Sequence, residues 1–265
     1  MLLALILACA TETPQPLAPA TPPPALKIDP VAAAASAVQN ALAPSPDETR
    51  VVLQRAGIGV DIAGLVPNRT LSLDTSNKDV LAVRTGVYLS DTILTLKEAS
   101  KEDLTARMDN VHKGLEGMGA GAGLLATIKE LTDRVRNDAI SRDELLFELD
   151  GTIVMAVPEQ GVGPADRTGP LLQAGAWVAT THLVAKAILQ SGKLEAADTL
   201  LRQKGVVDYF HKYLQGDGSG KAQPAILSQL EATLTALGEI AGHAHITEED
   251  VKAIEVKTEE ILGLM

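Results

Sequence analysis

The chain has 265 residues, a net charge of −11, one Cys and only 2% aromatic residues. That length provides one or two domains with ample core, and 46% hydrophobic against 22% charged residues excludes wholesale disorder. The acidic balance argues against nucleic acid and anionic lipid surfaces as partners, and a single Cys excludes an intramolecular disulfide or a multi-thiolate metal cluster.

Residues 1–8 form an apolar, signal-like segment, too short for a bilayer span of ~20 residues. Ile6-Leu7-Ala8-Cys9 resembles a bacterial lipobox, in which cleavage before Cys9 leaves its thiol to carry the acyl chains, palmitate among them. Cys9 is therefore the expected lipid-attachment residue. No Lys or Arg precedes the run, and a true start upstream of Met1 would supply one. Residues 9–30 hold Pro14, Pro16, Pro19, Pro22-Pro23-Pro24 and Pro30, a composition that predicts an extended, disordered spacer.

From residue 31 to 265 the pattern predicts a helical domain. Val80, Val83, Val87 and Leu94 share one stripe; Leu104, Met108, Val111 and Leu115 form a second. Leu124, Ile128, Leu131 and Val135 repeat it, as do Leu227, Leu230, Leu234 and Leu237. Ser100, Ser141 and Thr247 read as N-caps, the last two with an acid three residues on, and Gly192 reads as a helix stop. Only Arg69–Asp74, with alternating Leu71 and Leu73, hints at a strand. The expected fold is all-α, a multi-helix bundle.

Gly86-Val87-Tyr88 and Gly175-Ala176-Trp177 each place Gly two residues before a large aromatic in a helical pattern. A mid-helix Gly costs ~1 kcal/mol relative to Ala, and close approach of two helix axes would offset it. The pairing predicts two pseudo-repeated halves, 77–157 and 170–265, packed as one unit and joined by a loop at 157–169. With Pro44-Ser45-Pro46, Glu48, Gly57, Asp91 and Ala174 added, the chain resembles a family of bacterial all-helical lipoproteins that has no assigned activity. Its members share a Pro-Ser-Pro start, a Gly-Val-Tyr-x-x-Asp helix and a later Gly-Gly-Trp helix. The likeness covers most of the chain after the spacer. It departs where Gly-Ala-Trp replaces Gly-Gly-Trp and in its lower aromatic content. The resemblance implies a helical fold and a lipid anchor, and no mechanism.

Motifs for chemistry are sparse. His243-Ala244-His245, with Glu248, Glu249 or Asp250, is a weak zinc candidate and reads better as a solvated connector. His182 reads as a satisfied core or edge residue. The Gly216–Lys221 run lacks both the phosphate-loop spacing and the position-twelve Glu of an EF-hand, since Ile226 stands there. No Gly-x-Ser-x-Gly elbow or Glu-x-x-His pair exists, and the many carboxylates read as solvated faces. Catalytic residues, cofactors and metal ligands are therefore not expected. Tyr88, Asp91 and Trp177 either line a pocket between the halves or, the favoured reading, anchor the core, with Asp91 as an internal acceptor.

These features predict a lipid-anchored, extracytoplasmic binding or scaffold protein of the bacterial envelope, on the periplasmic or surface side of the outer membrane. Its partners would be the membrane, through the anchor, and an envelope protein. The alternatives are a small-ligand or metal-binding protein with a cleft between two helical halves, and an enzyme using carboxylates or histidines on facing helices.

Overall fold

The computed structural model describes residues 43–155, 167–214 and 223–265. The signal-like segment, Cys9, the spacer, most of the 157–169 loop and the Gly216–Lys221 run lie outside the described residues. Within them the chain forms eleven α-helices and no strand, with 74% of residues helical. In chain order these are α1 (Pro46–Arg55), α2 (Ile62–Leu65), α3 (Lys78–Thr95), α4 (Lys101–Met118), α5 (Ala122–Arg136) and α6 (Arg142–Met155). Then follow α7 (Thr168–Ser191), a 3-10 turn at Leu194–Ala196, α8 (Ala197–Leu200), α9 (Lys204–Leu214), α10 (Ala225–Ala241) and α11 (Glu248–Leu262). The protein is an all-α multi-helix bundle.

The expected start and stop signals act locally. Ser100, Ser141 and Thr247 accept the backbone N–H of the residue three ahead, and Thr247 closes a full capping box with Asp250. Ser45 and Glu48 form another full box, with Pro46 in the first turn of α1. Gly192 ends α7 at φ +69, a conformation that costs glycine little.

Helices α3 and α7 cross at the centre, and their burial wraps around almost the whole helix instead of following one stripe. That burial places hydroxyls in the core, and four of them find a partner on their own helix. Thr85 donates to the Leu81 carbonyl, Thr92 to Tyr88, Thr95 to Asp91 and Thr180 to Ala176, each four residues back. These four threonines therefore enter the centre with their hydroxyls satisfied. The second, third and fourth predicted stripes lie on α4, α5 and α10; apart from half-buried Leu124 their members are buried, and they join one continuous apolar core.

At the crossing each glycine faces the other helix's backbone. A Cβ on Gly86 would overlap the carbonyl oxygen of Leu172, three residues before Gly175. A Cβ on Gly175 would overlap the carbonyl oxygen of Val83, three residues before Gly86. The contact is thus reciprocal, and a Ser90–Thr180 hydroxyl pair at 3.0 Å extends it. Reciprocity does not extend to the neighbours. Helix α3 packs its outer side on the next helix, α4, whereas α7, beyond its crossing with α3, packs most on the last helix, α11.

Candidate functional site

Between α2 and α3 the chain runs without regular structure, and residues 68–74 lie across α3 as a strap. Its inward side chains are Arg69, Leu71 and Leu73, alternating with exposed Thr70, Ser72 and Asp74. The alternation that hints at a strand is present. Among the described residues no strand lies beside it, and α3 side chains take that place.

Three residues of α3 at positions i, i+4 and i+7 hold the strap. Arg84 Nη1 donates to the Ser72 carbonyl at 2.7 Å. The Tyr88 hydroxyl accepts the Leu71 N–H at 2.8 Å and donates to the Leu71 carbonyl at 3.1 Å. Asp91 Oδ2 lies 2.9 Å from Arg69 Nε. Strap numbering rises as helix numbering falls, so the two run antiparallel.

Asp91 is fully buried, and its ion pair with Arg69 lacks the alignment of a hydrogen bond. Burial therefore outweighs the attraction of Arg69 and of the more distant Arg107, and the Asp91 pKa is raised to about 6. A buried carboxylate costs least with a fixed counter-charge, and Arg69 on the strap supplies it.

Beside the strap opens a cleft of ≈ 430 Å³, walled by strap residues 68–74 and by α4, with Tyr88 between. The α4 wall presents Asp103, Arg107, Asn110 and Lys113. Asp103 is engaged by Ser100 at the helix cap. Arg107, Asn110 and Lys113 make no hydrogen bond or ion pair with any described residue. Nor do the backbone groups of Arg69, Thr70, Leu73 and Asp74.

Tyr88 is thus both a core residue, 4% exposed, and part of a cleft wall. Trp177, also 4% exposed, lies elsewhere. Its Nε1 donates to Gln203 Oε1 at 2.7 Å, and its ring meets Phe210 at 5.7 Å between centroids. Tyr209 and Tyr213 continue that aromatic ladder. Trp177 lines neither this cleft nor the one along α7 and α11. At Gly86 and Gly175 the helices α3 and α7 meet backbone to backbone.

A second cleft of ≈ 670 Å³ runs along α7 and α11, lined by His182, Lys186, Glu255, Val256 and Glu259 among others. His182 Nε2 lies 3.1 Å from Glu259 Oε2, and Nδ1 lies 3.1 Å from Thr258 Oγ1. Burial lowers its pKa, against the opposing pull of Glu259. His243 pairs with Asp250 and His245 with Asp198, each at 3.1 Å, so the two imidazoles serve different carboxylates. Among the described residues no group of three His, Cys, Asp or Glu side chains is placed to hold a metal.

Arg69, Arg84 and Arg107 were not singled out by the sequence reading. The available signal was the i, i+4, i+7 set Arg84, Tyr88 and Asp91, facing an alternating segment only a few residues upstream. No protein-family model, curated protein or solved structure matches the chain.

Proposed function

We propose that this protein is a lipid-anchored, extracytoplasmic binding protein of the bacterial envelope, without catalysis, and that the strapped cleft is its recognition site. The observation that carries the recognition role is the set of unengaged polar groups around that cleft. Arg107, Asn110 and Lys113 converge on one wall of the cleft without a hydrogen bond or ion pair of their own, Arg107 adding only a more distant attraction to Asp91. Ligand sites combine such convergent polar groups with a rigid support, and the three ties to α3 supply the support.

The anchor rests on Ile6-Leu7-Ala8-Cys9 and the proline-rich residues after it, with the family resemblance in agreement. It is tested by expression of the full chain with its signal in a Gram-negative host fed labelled palmitate. Label on the wild type and none on Cys9→Ser is the expected result. Equal label on both, or on neither, removes the anchor.

A further inference from the structure

The cleft's shape and its open hydrogen-bonding groups specify more than a polar ligand. Every residue from 68 to 74 lines it, odd and even alike. A strand face would present alternate residues, so the strap offers its edge. The opposite wall, from Asp103 to Lys113, extends ~15 Å at 1.5 Å per helical residue. The cleft is therefore long and narrow, and ~15 Å accommodates four or five residues of extended chain at ~3.3 Å each.

Two further features narrow the class. Arg107 and Lys113 stand ~9 Å apart along the helix axis, too far for one carboxylate or phosphate to engage both. In an extended segment Thr70 and Asp74 direct their open N–H and C=O groups to the edge away from Tyr88, as an edge strand does, with the Ser72 N–H open between them. Tyr88 already meets Leu71 as a neighbouring strand would, donating and accepting at one residue.

We infer that the strapped cleft binds an extended, acidic peptide segment of another protein, which adds to the strap edge as a strand and sets its acidic side chains against Arg107 and Lys113. Main-chain bonds to the strap hold it, and the α4 cations select its sequence. This rests on the cleft being the recognition site, and its test separates the two statements.

A library of randomised octapeptides is selected on the immobilised full-length chain, and the enriched peptides are synthesised and titrated by fluorescence polarisation. Acid-rich, proline-poor peptides are expected. Arg107→Glu and Asn110→Trp should each weaken them by about tenfold or more, with helicity unchanged. Backbone N-methylation at alternate residues should abolish binding. No enrichment above that obtained on Arg107→Glu overturns the inference. Peptides that lose binding in both variants yet tolerate N-methylation everywhere keep the cleft as the site and overturn the strand mode. Peptides indifferent to both variants bind elsewhere, and their behaviour removes the cleft as the recognition site as well.

Discussion

Asp91 sets the clearest residue-scale expectation. Its folded-state pKa of about 6 lies above the ordinary carboxylate value, so the folded protein holds this proton more tightly than the unfolded chain. Stability from this group is full below about pH 4 and is lost as pH rises through about 6. Urea denaturation of the wild type and Asp91→Asn across that window should show the wild type losing stability relative to the variant as pH rises. Parallel curves would show that Asp91 does not titrate there. Tyr88 gives a second expectation. Tyr88→Phe keeps the ring in the core but strands the buried Leu71 N–H and carbonyl, at a cost of ~1–3 kcal/mol. The same variant should speed amide exchange at Leu71 and its neighbours well before it affects α7. Of these residues, Tyr88, Asp91 and Trp177 were visible as rare or polar residues in apolar helices. Their partners were not, because Arg69 and Gln203 lie outside the helices they serve, and periodicity within a helix carries no information about what crosses it.

At the scale of elements, the crossing of α3 and α7 depends on two missing Cβ atoms. Even alanine at Gly86 or Gly175 meets backbone, which cannot swing aside as a side chain can. Gly86→Ala and Gly175→Ala should each destabilise by ~1–3 kcal/mol or more, measured by thermal or urea unfolding. Each change separates the same two axes, so the second should cost less than the first and the double variant should fall short of the sum. Additive losses would mean that the two glycines relax independently. Lys257→Ala, which breaks only an exposed pair with Glu260, should be nearly silent. The glycines could be found in the sequence because each opposes helix propensity inside a strong helical pattern. The strap was half legible: alternation at Leu71 and Leu73 identified an extended segment, but nothing in it shows whether strand or helix lies beneath. The caps at Ser100, Ser141 and Thr247 were readable because capping is decided within four residues.

For the whole molecule, residues 38–265 form one compact unit with its own continuous core. A chain beginning at Val38 should therefore keep the melting temperature of the full chain and be strongly helical by far-UV circular dichroism. A large drop in melting temperature would mean that residues 1–37 carry part of the stability. Helical class was legible throughout, since stripes at helical spacing recur along the chain. The packing order of the helices was not. That α7 takes the last helix, and not the next, as its main neighbour after α3 depends on which surfaces fit, and a stripe does not name its partner.

The glycine crossing also bears on how the chain acquires its structure. Gly86 and Gly175 are 89 positions apart, and α3 is buried against α7 along much of its length. A chain growing from the ribosome exposes the apolar surface of α3 that faces α7 until α7 has emerged, because α4 packs on another side of it. Contacts of such long sequence separation slow folding and leave sticky intermediates in the interval. The first half cannot reach its native state ahead of the second, whatever their kinship. A nascent chain stalled before residue 168 should thus remain protease-sensitive and engage holdase chaperones, and one released after residue 191 should begin to acquire resistance.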